Sequence, residues 1–239
     1  MKNGTSVCIW LNGISASERP CWQRLWNAAS YRMCTDGGAN LIFDRVKVGT
    51  LESPSMVSGD MDSITEDTYA FLKRRGCEMN HTPDQDKTDL TKCLELLRDR
   101  LASSRPFPIV ERVLILGGLS GRFDHTLGVI NSLVSVDFRT HGVDVFILDG
   151  ENLTTVLKEG SHSISLDQSM LTSMCGIVPI SQTRTTVTTT GFRWNLDNTD
   201  MAFGGLISTS NEIASDEVQL STNAPLVMTV ELKKDVTSE

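Results

Sequence analysis

Five of the six aspartates between residues 60 and 89 carry the clearest chemical potential of this chain. Asp60 and Asp62 fall in Ser58-Gly59-Asp60-Met61-Asp62-Ser63, and Asp84, Asp86 and Asp89 in Pro83-Asp84-Gln85-Asp86-Lys87-Thr88-Asp89. Such runs can be no more than a solvated acidic surface. Their placement argues for more, because the first follows the apolar pair Met56-Val57 and the second opens an amphipathic pattern. Carboxylates at strand ends and helix starts are how α/β proteins hold Mg²⁺ beside phosphates. Asp86 and Asp89 are spaced i,i+3, which would turn both to one side of a helix start. One or two acids there stabilise any helix. A cluster repels itself and needs a counter-charge, for which a divalent cation is the economical choice.

Two glycine-bearing segments offer complementary chemistry. Asp36-Gly37-Gly38-Ala39-Asn40 follows a strand, where glycines let backbone approach a ligand closely; a plain strand-to-helix turn with an Asp cap is the simpler alternative. Gly117-Gly118-Leu119-Ser120-Gly121-Arg122-Phe123-Asp124-His125 matches neither GxxxxGK[ST] nor GxGxxG. Glycines such as Gly118 and Gly121 before a helix N-terminus still make a phosphate site from backbone N–H groups and the helix dipole. Arg122 adds a forked donor suited to phosphate oxygens. His125 is a lone histidine in a helix first turn, where a structural role is commoner than general-base work. Later in the chain, Trp194 sits in Thr188-Thr189-Thr190-Gly191-Phe192-Arg193-Trp194-Asn195-Leu196. It could be a stacking platform for a flat cation; on the residues alone, a core position is favoured. Ser208-Thr209-Ser210-Asn211 is a second polar segment of note.

The elements that must position these residues change character along the chain. Apolar runs at Ser6 to Leu11, Tyr31 to Thr35, Met56 to Ser58, Arg112 to Leu116 and Val143 to Leu148 read as strands. Helical patterns fall at Cys21 to Ala29, Glu66 to Arg74, Asp86 to Leu101 and Phe123 to Val134. That alternation implies a mostly parallel, Rossmann-like α/β domain over residues 1–150. Beyond Gly150 helical periodicity stops. Short Thr-, Ser-, Val- and Ile-rich segments, at Thr154 to Leu157, Ser161 to Leu166, Gly176 to Pro179, Thr185 to Thr190, Leu206 to Thr209 and Leu226 to Leu232, predict an antiparallel β-sandwich domain over residues 151–239.

Composition narrows the partners. A formal charge of −8 disfavours nucleic acid, whose backbone is bound by clustered Lys and Arg. It suits a cationic small molecule, or anionic substrates brought in through metal ions, and most of the acidic excess lies beyond Gly150. The six cysteines form no CxxC pair, which argues against a zinc site or a disulfide framework and for a reducing compartment. The N-terminal apolar run, Val7 to Leu11, is too short for a signal-peptide core or a membrane span. A cytoplasmic location without membrane association is therefore expected.

Taken together, the segments resemble thiamine pyrophosphokinases of the eukaryotic form. Asp36 to Asn40, Ser58 to Ser63, Thr82 to Asp89, Gly117 to Asp124, Thr188 to Leu196 and Ser208 to Asn211 occur in that family's order, across nearly the whole chain. The resemblance implies transfer of the pyrophosphoryl group of ATP to the hydroxyl of thiamine, giving thiamine diphosphate and AMP. It implies a homodimer with active sites between subunits. Asp60, Asp62 and Asp89 would hold Mg²⁺, with Asp36 close by. Gln85, Asp86, Gly118, Gly121, Arg122 and Asp124 would position ATP. Trp194 would cover thiamine, with Ser208, Ser210 and Asn211 lining its pocket. Either Asp62 or Asp89 would accept the hydroxyl proton; Lys87 and Ser120 receive no role. Two alternatives remain, a pyrophosphokinase for another hydroxymethyl heterocycle such as a pterin, and a non-catalytic thiamine-binding protein. The Thr/Trp and Ser/Asn segments speak against the first and the intact acidic set against the second.

Overall fold

The computed structural model describes residues 6–13 and 17–238. Two compact units divide the chain, Met1–Gly150 and Glu151–Glu239.

The first unit holds strands β1 (Ser6–Trp10), β2 (Tyr31–Thr35), β3 (Met56–Gly59), β4 (Glu78–His81), β5 (Arg112–Leu116) and β6 (Asp144–Asp149). They lie in the order β6-β5-β1-β2-β3-β4, and every pairing is parallel. Helices α1 (Cys21–Ala28), α2 (Asp36–Val48), α3 (Glu66–Arg74), α4 (Asp89–Ala102) and α5 (Phe123–Ser135) connect them. Helix α2 packs on β2, β3 and α3, whereas α4 packs on β2, β3 and α5. Helices on both faces leave the central strands no solvent side, so Val7 to Trp10 and Val113 to Leu116 are buried without alternation. Trp10 anchors this core, edge-on to Trp22 and Trp26 at centroid distances of 5.4 and 5.6 Å. β1 lies between β2 and β5, so the winding reverses there. Open α/β sheets bind ligands outside the strand carboxyl ends at such a point.

Three local features depart from expectation. Helix α4 begins at Asp89 rather than Asp86, because Thr88 caps it by accepting the Thr91 N–H at 3.1 Å. Asp86 therefore lies outside the helix, and the shared-face pairing of Asp86 with Asp89 does not form. Helix α2 starts at Asp36 itself, so its glycines are helical rather than a turn. They are required by contact: a Cβ on Gly38 would stand 2.5 Å from the Trp10 carbonyl oxygen. β4 was not expected, since an edge strand paired on one side needs no apolar pattern; its residues are exposed or half-buried.

The second unit contains β7 (Asn152–Leu157), β8 (Gly160–Ser165), β9 (Leu171–Pro179), β10 (Thr185–Thr190), β11 (Thr199–Met201), β12 (Ser208–Glu212), β13 (Glu217–Thr222) and β14 (Leu226–Leu232). They pair antiparallel in the orders β12-β9-β14-β7 and β11-β10-β13-β8. The expected fold class, a parallel α/β domain followed by an antiparallel β-sandwich, is thus the observed one. Period-two burial explains the second sheet: Thr185, Val187 and Thr189 of β10 and Val218, Leu220 and Thr222 of β13 are buried while Thr188, Thr190, Glu217 and Gln219 are exposed. The sequence of β13 carries the same alternation, from Glu217 to Thr222. No helix among the described residues is long and apolar enough to cross a membrane.

Candidate active site

The acidic centre forms where β2 and β3 end. Asp36 follows β2 as the first residue of α2, and Asp60 follows β3 with Asp62 two residues on. One carboxylate oxygen from each of Asp36, Asp60 and Asp62 lies within 4.8 Å of the others. Asp36 is buried, its Oδ1 accepting the Gly37 N–H at 2.7 Å and its Oδ2 the Met61 N–H at 3.1 Å. Burial raises its pKa above the usual carboxylate value, against the pull of the Gly37 N–H. Asp60 behaves oppositely. Gln85 Nε2 donates to its Oδ2 at 3.0 Å and the Asp62 N–H to its Oδ1 at 3.2 Å. These donors, Gln85 foremost, hold its carboxyl down to about 2.

The loop carrying Asp60 and Asp62 is held in a specific shape. Met61 adopts φ 66°, a left-handed conformation uncommon for a non-glycine residue. Asn40 in α2 donates to the Ser63 carbonyl at 2.7 Å and accepts the Thr65 N–H at 3.0 Å, tying the loop to the helix. Gly59 passes so near Asp36 that a Cβ there would lie 2.5 Å from its Cγ. Among the described residues the trio is three carboxylates, a hard oxygen donor set that suits Mg²⁺ or Ca²⁺ and disfavours softer metals.

Of the other predicted acids, Asp89 stands at the start of α4 outside that trio, with Oδ1 2.8 Å from Lys92 Nζ. Its charge still reaches Asp36 and contributes to the raised pKa there. Asp86 is exposed, its N–H donating to Asp84 Oδ1 at 2.9 Å. Lys87 pairs with Glu95 at 2.9 Å.

The glycine loop joins β5 to α5 with Gly117, Gly118 and Gly121 at φ 85°, 104° and 90°, in the left-handed region that favours glycine. Asp149, buried at the end of β6, accepts the Leu119 N–H at 2.6 Å and the Ser120 hydroxyl at 3.2 Å, fixing the loop. Arg122 is exposed and forks onto Asp124 at 2.5 and 3.1 Å. Any phosphate using that guanidinium must share it with Asp124. His125 is likewise exposed.

In the second unit the structure corrects the core reading of Trp194, whose side chain is 52% exposed. The Arg193 guanidinium lies 4.7 Å from its ring centroid and is paired with Glu212 at 2.8 Å. Asn211 is buried, and its amide is fully engaged. Its Oδ1 accepts the Trp194 and Glu212 N–H groups at 3.3 and 2.8 Å; its Nδ2 donates to the Trp194 carbonyl at 2.9 Å and to Ser208 Oγ at 3.2 Å. Asn211 thus clamps the Trp194 segment to β12. Ser210 is exposed at φ 58°, beside a register shift between Ser208 and Asn211.

Three structural residues escaped the sequence reading: Asn40, Lys92 and Asp149. Lys92 lies off the apolar stripe of α4, where a solvated lysine is the ordinary expectation, so its burial has no signal in the sequence. The bonds of Asn40 and Asp149 join segments at least 23 residues apart, for which no local pattern exists.

Similarity to known proteins places these sites in context. The thiamin pyrophosphokinase catalytic domain matches residues 22–147, and the thiamin pyrophosphokinase vitamin B1 binding domain matches residues 161–227. Thiamin pyrophosphokinase 1 of Caenorhabditis elegans is 38% identical over 230 residues, 95% of this chain and 90% of that protein. Thiamine pyrophosphokinase 1 of Oryza sativa subsp. japonica is 35% identical over 221 residues, 87% of this chain and 81% of that one. Among solved structures, yeast thiamin pyrophosphokinase superposes with a TM-score of 0.80 at 22% identity, covering 98% of this chain and 88% of the other. The Candida albicans thiamin pyrophosphokinase gives 0.79 at 22% identity, covering 96% and 90%. At that identity the superpositions speak for the fold. The sequence matches to both domains and to relatives spanning most of the chain carry the assignment: the chain belongs to the thiamin pyrophosphokinase family.

Proposed function

We propose that this chain transfers the pyrophosphoryl group of ATP to the hydroxyl of thiamine, giving thiamine diphosphate and AMP. The observation that carries the reading is the trio Asp36, Asp60 and Asp62 at the carboxyl ends of parallel strands, in a chain of this family. The thiamine oxygen forms a bond to the β-phosphorus of ATP. The bond from that phosphorus to the oxygen bridging the α-phosphorus breaks, and AMP leaves with that oxygen. The hydroxyl proton passes to a carboxylate, Asp62 or Asp89.

Asp36, Asp60 and Asp62 would hold Mg²⁺, with Asp89 contributing from the start of α4. When bound, Mg²⁺ neutralises the phosphate oxygens and the charge developing on the transferred group. Such transfer needs positioning and charge stabilisation more than covalent chemistry. In this reading Gln85, Asp86, Gly118, Gly121 and Asp124 orient ATP, and Arg122 supplies a fixed cation to its phosphates. Trp194 stacks on thiamine, Ser208 and Ser210 line its pocket, and Asn211 holds Trp194 in place. The chain works as a homodimer whose sites use both subunits. Six free, buried thiols suit a reducing compartment such as the cytoplasm.

The relatives named above favour neither a pterin pyrophosphokinase nor a non-catalytic binder. Phosphorus NMR of purified protein with thiamine, ATP and Mg²⁺ tests the reaction. AMP and thiamine diphosphate are expected, in proportion to Mg²⁺ loading. ADP with thiamine monophosphate would mean an ordinary kinase and refute the reading.

A further inference from the structure

Lys92 is a charged residue inside the helical core, only 5% exposed. An ammonium has three donors, and here each has an acceptor: Asp89 Oδ1 at 2.8 Å, the Thr82 carbonyl at 3.1 Å and the Asp84 carbonyl at 3.2 Å. With its valence filled by protein, Lys92 has no donor left for a phosphate. Two of the acceptors belong to the segment that carries Gln85, and the third is the carboxylate at the start of α4. The same segment is tied to β3 where the Thr82 N–H meets the Gly59 carbonyl at 2.8 Å. Gln85 in turn donates to Asp60 at 3.0 Å. One ammonium therefore joins α4, the acidic segment and, through Gln85, the carboxylate trio.

We propose that Lys92 is a positioning residue of the acidic centre, holding Asp89 and the Thr82–Asp89 segment so that Gln85 and Asp89 serve the cation held by Asp36, Asp60 and Asp62. The inference rests on the cation reading given above. It differs in kind from a charge effect. A bare positive charge near carboxylates would oppose a metal ion, so removing it would tighten cation binding. The geometric role therefore predicts the opposite sign, weaker binding when Lys92 is lost.

The test uses full-length protein and Mn²⁺ alone, with affinity read from the EPR signal of free Mn²⁺. Lys92→Met keeps the length of the stem and removes the ammonium; Lys92→Arg keeps the charge but brings a planar fork that cannot meet the same three acceptors. Both should bind Mn²⁺ about tenfold to a hundredfold more weakly, the range for partners that orient metal ligands. Both should lower kcat while moving the thiamine KM by less than about threefold, a change of under 1 kcal/mol. If Lys92→Met does not fold, Lys92→Arg decides on the same readouts. Tighter or unchanged Mn²⁺ binding in a folded variant, or full recovery in Lys92→Arg, would overturn the positioning role while leaving the cation reading intact. Wild-type protein that binds no Mn²⁺ and is active without divalent metal would remove the cation reading, and this role with it.

Discussion

Gly59→Ala puts the packing of the acidic centre to a quantitative test. The added Cβ would stand 2.5 Å from Asp36 Cγ, 2.8 Å from its Oδ2 and 2.9 Å from its Cβ, where ordinary contact begins at 3.4 Å. Asp36 or the β3 end must move by about 1 Å to restore contact distance. Asp36 has little room to yield, because it is buried and bonded at 2.7 Å to Gly37 and 3.1 Å to Met61. A shift of that size lengthens the Met61 bond past any useful geometry and draws Asp36 out of the trio. Overpacking of this kind costs about 1–3 kcal/mol, or roughly 2–12 °C in Tm for a chain of this size. Mn²⁺ affinity should fall about tenfold or more, as for other disturbed ligand shells. Differential scanning fluorimetry and Mn²⁺ EPR read the two effects separately. The Gly59→Ala change should cost less in an Asp36→Gly background than in the wild type, since all three close contacts are to side-chain atoms of Asp36 that glycine lacks. A Gly59→Ala protein with wild-type Tm and wild-type Mn²⁺ affinity would refute the close approach of β3 to Asp36.

Asp60→Asn and Asp62→Asn should each remove most activity with little change in Tm, because both keep shape and lose a charged ligand; a variant that melts early yet keeps its activity per folded molecule would make that carboxylate structural. Trp194→Ala should raise the thiamine KM about threefold to thirtyfold, the worth of a cation over an indole, and the ATP KM little. A loss of about 3–5 kcal/mol of stability without substrate selectivity would instead mark a core tryptophan. Mixing Trp194→Ala with Asp62→Asn chains should regenerate one intact site per heterodimer, and heterodimers that stay inactive at low thiamine would rule out shared sites. The buried thiols should react slowly with Ellman's reagent at pH 8 and rapidly once unfolded. Burial pushes Cys93 up from 9.0 to about 12, so the folded chain holds that proton more tightly. The resulting stability is intact below pH 9.0 and lost as pH rises toward about 12; a urea midpoint that does not fall over that window would contradict it.

Much of this protein was legible before any fold was known. Continuous apolar runs in β1 and β5 mark strands buried on both faces, and the stripe Leu90, Cys93, Leu94 and Leu97 marks α4; these are local periodicities, and local physics sets them. The acids were recognisable by type and by their place at strand ends. Tertiary structure decided which of them meet. Asp36 and Asp60 are 24 positions apart in sequence and become neighbours only because β2 and β3 pair in parallel with Thr35 opposite Ser58. Asp89 read as equivalent to them, yet the cap at Thr88 and the salt bridge to Lys92 set it apart. Trp194 shows the same limit. Its neighbours in sequence left both a stacking platform and a core position open; in the fold, the bridge of Phe192 to Ile213 and the bonds of Asn211 to its backbone hold the segment with the indole half in solvent. Sequence fixes what each segment can form and what each side chain can do. Which carboxylate faces which, and which indole faces water, depends on long-range pairing, because a hydrogen bond between distant segments leaves no periodic trace in either.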